Sequence, residues 1–490
     1  MEFNELQQQR LIKLERLRAA GIDPYPTRAE RSHTIAAILG AFDTLAEAGA
    51  RVVASGRIVG ARRVMGKLAF AHIEDETGQI QLWISRADLG DEWFERFRDD
   101  LDTFDIVQAS GTLRRTKTGE ASILVTELTL LAKALNPPPE KWHGLTDSEA
   151  RHRERYLDLI VNPEVRQNFR TRATLIRTMR RVLEERDFLE VETPTLQPIY
   201  GGATARPFVT HHNQLHQDLY LRIAVELYLK RLIVGQMGRV FEISKNFRNE
   251  GVDQTHNTEF TMMECYQAFG DYRDMMEIVE EVCRLTAITL TGGTAIPYQG
   301  TTIDFGPAWR RVSIPEAILE RTGLDILQLT ELDALQAAIA SAGLRVERKG
   351  PWSKQVDALI GTFIEPDLVQ PTFLCDHPTA MSPLAKRHTD QPLTTERFEA
   401  YVASFEIGNG YTELNDPLDQ EQRFIEQGRD AAAGDDEAHQ MDTDYLNALM
   451  YGMPPTGGLG IGIDRLAMVF TDQATIREVI LFPHLRQRES

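Results

Sequence analysis

Residues 239–264 constrain this chain more than any other stretch. Val240, Phe241 and Ile243 form a short apolar run of β-formers, and Asn249, Gly251 and Asp253 are turn formers. Phe260, Met262 and Met263 restart an apolar run that contains Glu264. The pattern predicts a strand, a charged loop and a second strand. Arg248 and Glu250 stand two apart, so on an extended strand both point to one face, and Phe260 offers a flat apolar surface across the hairpin. A guanidinium fork suits phosphate oxygens, a carboxylate beside it can orient it, and an aromatic ring can stack on a purine. Alone, an Arg-x-Glu pair reads more readily as a surface ion pair. The rest of the chain decides between the two.

Arg239–Glu250 resembles motif 2 of the class II aminoacyl-tRNA synthetases, a Phe-Arg-x-Glu hairpin that holds ATP. Two more motifs follow in the family's order. Phe188–Pro194 (Phe-Leu-Glu-Val-Glu-Thr-Pro) resembles motif 1, the dimer element, and Gly457–Leu466 resembles motif 3. The segments 222–227, 406–416 and 480–483 narrow the resemblance to the class II lysyl-tRNA synthetases. It covers nearly the whole chain. Gly457, Gly460 and Gly462 are not a dinucleotide fingerprint, because the βαβ setting is missing.

The organisation of the chain agrees with that resemblance. Residues 2–20 read as a helix with Leu11, Leu14 and Leu17 as its apolar stripe; it either packs on its own domain or, as in the family, assists tRNA binding. From 50 to 132 the runs 52–54, 56–59, 70–73, 80–84 and 123–125 read as strands punctuated by glycines, with a helix near Trp93–Leu101. By itself this is a small all-β domain; the resemblance makes it a five-stranded OB-fold barrel that binds the anticodon. The expected domains are 1–136, a Pro-rich linker over 137–150, and a catalytic domain over 151–490 with a helical insertion near 313–350. The expected class is therefore α+β, with the catalytic sheet mostly antiparallel and flanked by helices. Nine arginines between Arg151 and Arg181 form either a solvated helix face or a phosphate-facing cluster. Ala431–Glu437 reads as a surface turn.

A net charge of −19 argues against nonspecific coating of nucleic acid, though not against a local basic patch. Cys265, Cys283 and Cys375 make neither a zinc pattern nor a disulfide framework. No signal peptide opens the chain and no apolar run reaches membrane-spanning length, so a cytoplasmic protein with no membrane partner is expected.

The resemblance implies the reaction: L-lysine and ATP form lysyl-adenylate and pyrophosphate, and lysine then passes to tRNA(Lys). It assigns Arg248 to the α-phosphate and Arg465 to the γ-phosphate as catalytic groups. Glu250, His256, Phe260 and Glu399 complete the ATP contacts, with Phe260 against adenine. Glu399 and Glu406 are the Mg²⁺ carboxylates, seven apart on one helix face or on a strand with a bend. A lysine pocket needs acids deep inside, because an unpaired buried ammonium is costly. Glu226 and Glu413 fill that role, Tyr266, Asn409 and Tyr411 line the pocket, and Gly202 and Glu264 hold the α-amino end. Phe70, Gln81, Arg63 and Glu127 are the anticodon contacts. Val225 and Thr258 stand where the family commonly has proline, and Cys265 is either a modifiable thiol or packing. Two acids in the pocket speak against an aspartate- or asparagine-specific relative. The barrel speaks against a relative that lysylates a protein, and the intact motifs against a non-catalytic RNA binder. A homodimer is expected.

Overall fold

The computed structural model describes residues 2–139, 145–203, 205–347, 350–432 and 441–486. Positions 140–144 of the expected linker and 433–437 of the expected surface turn lie outside them. The chain divides into two compact units, Met1–His143 and Gly144–Ser490.

The first unit is a closed barrel of β1 (Val52–Met65), β2 (Leu68–Glu74), β3 (Gln79–Ser85), β4 (Ile106–Arg115) and β5 (Ala121–Ala132), in the order β1-β2-β3-β5-β4. Alternate residues fill it: Ala69, Ala71 and Ile73 from β2, Ile80, Leu82 and Ile84 from β3. Phe94 and Phe97 of the helix Asp91–Asp99 join that core. The strands differ from the expectation in two ways. Runs 52–54 and 56–59 are one strand, and β4 is an additional one. Both differences come from glycines read as breaks. A Cβ on Gly56 would lie 2.7 Å from the Glu74 carbonyl oxygen, and one on Gly111 only 1.9 Å from that of Leu124. Each glycine sits inside a strand, where a neighbouring backbone passes too close for a side chain.

The N-terminal helix spans Glu5–Ala19 and buries Leu14 and Leu17. Its basic side chains are engaged within the unit. Arg10 donates to the Ala134 carbonyl (2.9 Å), Lys13 pairs with Asp102 (2.6 Å) and Arg16 with Asp100 (2.7 Å). The helix thus packs on its own domain.

The second unit is built on an eight-stranded sheet. Its strands are β6 (Leu189–Glu190), β7 (Arg239–Phe247), β8 (Glu259–Ala268), β9 (Arg310–Ser313), β10 (Thr372–Cys375), β11 (Arg397–Val402), β12 (Phe405–Thr412) and β13 (Thr456–Gly462). The order is β9-β10-β11-β12-β13-β8-β7-β6, antiparallel throughout except at the two edge pairs. Helices Pro163–Glu185, Tyr272–Thr291 and Ile463–Phe470 bury their apolar stripes against one face. The helices Ile314–Thr322, Leu332–Ser341 and Trp352–Phe363 enclose a separate small core around Ile318, Leu335 and Leu359. The segment read as linker already carries a helix, Ser148–Arg153, because the Asp147 side chain caps the Ala150 N–H at 2.9 Å. Among these arginines, Arg151, Arg153, Arg155, Arg172 and Arg180 pair with acids of this unit.

Replacing Gly111 by Ala forces the β4–β5 pair apart. The variant should lose roughly 1–3 kcal/mol of stability, the usual cost of overpacking, seen as a lower thermal midpoint of the barrel. An unchanged midpoint would mean that the strands separate freely there.

Candidate active site

Strand register assembles the site. Tyr266 pairs with Gly458, Gly458 with Tyr411, and Tyr411 with Arg397. One row along, Glu264 pairs with Gly460, Gly460 with Asn409, and Asn409 with Glu399. Residues two apart on a strand share a face, so both rows look the same way. They floor a cavity of about 450 Å³ that Gly202, Glu226, Arg248, Phe260, Glu406 and Arg465 also line.

The glycines of β13 are what open it. A Cβ on Gly458 would lie 1.8 Å from Glu413 Oε1 and 2.7 Å from the Tyr266 ring. Gly202, at φ +84°, sits where a Cβ would press on those of Glu226 (3.0 Å) and Ala224 (3.2 Å).

One end of the cavity is acidic. Glu226 opens the helix Glu226–Val234, Glu264 lies mid-strand on β8 and Glu413 directly follows β12; all three are buried. The Tyr411 hydroxyl donates to Glu226 Oε1 (2.7 Å) and the Tyr266 hydroxyl to Glu264 Oε2 (3.3 Å). Burial works against the Glu413 carboxylate, the Lys230 ammonium favours it and Glu226 opposes it. Lys230, which the sequence reading left out, is fully buried and pairs with both Glu226 and Glu413. The i,i+4 spacing of Glu226 and Lys230 was the available signal. Asn409 is held by Arg397, whose Nε donates to its Oδ1 at 3.1 Å.

The other end gathers cations with two further acids. The Arg248 guanidinium lies over the Phe260 ring, 5.0 Å from its centroid, and its Nε is buried with no hydrogen-bond acceptor. Arg465 donates to the Glu406 carbonyl (2.9 Å), to Glu406 Oε2 (3.2 Å) and to His256 Nε2 (3.0 Å). Glu399 and Glu406 occupy the facing strands β11 and β12, so the strand alternative holds for their spacing. Against the cost of burial, His377 and Arg397 hold the Glu399 carboxyl down to about 2. Burial and then the charge of Glu399 push Glu406 up. Among the described residues no group of three or more His, Cys, Asp or Glu side chains stands ready for a metal. Two carboxylates in mutual electrostatic contact nonetheless suit Mg²⁺, which takes one or two and leaves the rest to phosphate and water.

Residues 147–486 match the family described as tRNA synthetases class II (D, K and N), and residues 52–131 match the OB-fold nucleic acid binding domain. The chain is 74% identical over 489 residues to the lysine–tRNA ligase of Roseiflexus castenholzii, with both chains fully covered. It is 68% identical to that of Chloroflexus aurantiacus, covering 100% of this chain and 99% of that one. It is 50% identical to that of Pelotomaculum thermopropionicum, covering 100% and 96%. The chain belongs to the class II lysine–tRNA ligases.

Several details of this ligase differ from the sequence reading. β7 ends at Phe247, so Arg248 and Glu250 lie in the connecting loop and not on one extended strand; Glu250 is exposed. The loop leaves the ladder where the Asn249 N–H turns to the Arg206 carbonyl (2.8 Å). His256 Nε2 accepts from Arg465 while Nδ1 faces Asp253 (2.8 Å), so in this structure it braces Arg465. Val225 supplies an N–H to Glu264 Oε1 (3.4 Å), a donor that proline lacks. Arg248 N–H donates to the Thr258 carbonyl (2.9 Å), a bond open to any residue at 258. Cys265 faces the helix-covered side and is fully buried, with burial raising its thiol further: it is packing.

On the barrel, Phe70 is not in the core, which its neighbours Ala69 and Ala71 occupy. It pairs in register with Arg63 and Trp83, its ring 5.9 Å from the Trp83 ring. Gln81 shares that face but is buried, donating to Glu120 Oε2 (2.6 Å) and accepting from Ser122 (2.8 Å). Glu127 is not brought to this face. It lies beyond a bulge in the β4–β5 pairing and bonds Arg51 at 2.5 Å. The acid that is present there is Glu120, which also meets His72 at 2.7 Å. A strand-end residue after a turn carries no periodic signal, which is why the sequence reading passed over it.

Burial first and Glu226 second raise Glu264 to about 7. A carboxyl whose pKa rises on folding adds stability at low pH, and that contribution disappears as pH climbs through the folded value. Glu264→Gln should therefore leave the thermal midpoint of the ligand-free protein nearly unchanged near pH 5. Near pH 8 it should add about 1–3 kcal/mol. Equal shifts at both pH values would place the titrating group elsewhere.

Proposed function

We infer that this chain joins L-lysine to tRNA(Lys), using ATP, through a lysyl-adenylate. The observation that carries the reading is the division of one cavity into an acidic end (Glu226 and Glu264, with Glu413 joined to Glu226 through Lys230) and a phosphate-suited end (Arg248, Arg465, Glu399, Glu406). The substrate ammonium groups belong at the first, with Glu413 and Tyr266 at the side-chain end and Glu264 with the Gly202 backbone at the α-amino end. An aspartate or asparagine side chain would meet the acids Glu226 and Glu264, and Lys230 beside them is already paired twice.

The first step bonds a lysine carboxylate oxygen to the α-phosphorus and breaks the bond to pyrophosphate. Arg248 stabilises charge on the α-phosphate, its unpaired Nε supplying a ready donor. Arg465, held by His256 and Glu406, meets the γ-phosphate; Phe260 stacks on adenine. Glu399 and Glu406 would hold Mg²⁺, which supplies charge neutralisation to the phosphates when bound. In the second step a hydroxyl of the tRNA's terminal ribose attacks the acyl carbon and AMP leaves. The protein's share is positioning and electrostatics.

The Phe70 face of the barrel is the anticodon reader in this account, with Phe70 stacking and Gln81 and Arg63 at base edges. Dimerisation is proposed through the motif 1 segment, where Leu189 and nearby Phe269 leave apolar side chains 55% and 84% exposed. A cytoplasmic setting fits three free, buried cysteines. Among the described residues no helix is long and apolar enough to cross a membrane.

ATP–pyrophosphate exchange tested across all twenty amino acids should respond to lysine; a faster response to another amino acid ends the reading. Arg248→Lys keeps charge but loses the fork, so exchange should fall by about 100-fold or more. Phe70→Ala should raise the KM for tRNA about tenfold, the loss of one stacked base, and leave exchange unaltered. Unimpaired tRNA charging by that variant would remove the anticodon role of the face.

A further inference from the structure

Lys230 lies one turn after Glu226 on the helix Glu226–Val234 and is 0% exposed. Its Nζ is 2.5 Å from Glu226 Oε1 and also pairs with Glu413 Oε2. Lys230 is thus the counter-charge of the buried Glu413 carboxylate. The Tyr411 and Tyr445 rings lie 5.5 and 6.0 Å from the ammonium. Across the floor stand Glu264 and Tyr266, and behind Tyr445 is the Arg231–Asp442 pair at 2.8 Å.

Lysine brings two ammonium groups, and Lys230 is the cation already placed between two of the acids, Glu226 and Glu413. Without Lys230, Glu226 and Glu413 would be bare carboxylates in one dry site, and such a pair retains a proton. That proton would sit where the incoming ammonium must bind.

We propose that Lys230 is a positioning residue for amino-acid selection: it holds Glu226 and Glu413 as a pair of anions, so that the cavity accepts a further ammonium and not a proton. The proposal rests on the lysine reading of the site and concerns a residue outside the contacts assigned above.

The test is Lys230→Met in the full chain, with lysine-dependent exchange followed against pH. Near pH 7 the lysine KM should rise by at least about tenfold, the mark of a buried pair left with one partner missing. The ATP KM should stay within about twofold. By about pH 9 most of the loss should be recovered, because the retained proton leaves. A lysine KM that is unchanged, or raised equally at every pH, overturns the proposal. Lys230→Gln, which keeps a donor, serves if the Met variant fails to fold. If both fail, calorimetry of lysine binding to the unaltered protein decides, run near pH 8 in two buffers of different ionisation heat. Well under half a proton should be released per lysine, because the acids are already anions. Release of a whole proton overturns the proposal. Absence of lysine-dependent exchange in the unaltered protein is a separate result, and removes the lysine reading itself.

Discussion

Three carboxylates, Glu226, Glu264 and Glu413, are buried around one cavity, and the catalytic unit is arranged to tolerate them. Burial and mutual repulsion both disfavour their ionised forms. Lys230, the Tyr411 and Tyr266 hydroxyls and the Val225 N–H offset that cost from four directions. What remains is an appetite for positive charge. A cationic substrate satisfies it, and a neutral one of similar length leaves it standing.

The sheet makes this arrangement possible. Antiparallel pairing of β11, β12, β13 and β8 sets acid, amide, tyrosine and arginine side chains side by side at fixed spacing. The β13 glycines keep the middle of that floor low enough for a ligand to lie across it. Rigid strands suit a reaction whose acceleration comes from placing an α-carboxylate against a phosphate. At the far end the cations are braced: Arg248 over Phe260, Arg465 between His256 and Glu406. Their orientation therefore precedes ATP, so less is lost in ordering them when it binds.

The barrel follows the same logic with different chemistry. Its small interior residues, Ala69 and Ala71, leave the outward positions Phe70 and His72 on one face with Trp83 and Gln81. Period-two alternation decides which side each residue takes. Gln81 is already hydrogen-bonded to Glu120 and Ser122, so its amide orientation is set in advance.

The sequence by itself determined the class and named most of the residues that the cavity brings together. Local patterns carry that information: the hairpin of 239–264, the order of three motifs, the acids at 226, 264 and 413, the carboxylates at 399 and 406. Only the tertiary structure decided how the pieces meet. Gly56 and Gly111 read as breaks because close backbone crossings are non-local, and Glu127 gave way to Glu120 because a bulge shifts the register between β4 and β5. His256 became a brace because Arg465, more than two hundred positions away, comes within hydrogen-bond reach. Lys230 shows the division most plainly. Its pairing with Glu226 is a helix spacing visible in the chain, but its pairing with Glu413 joins residues that only the packing of the helix Glu226–Val234 on the sheet brings together. Spacing along a chain specifies neighbours on one element; charge balance in a buried site is a property of all the elements around it.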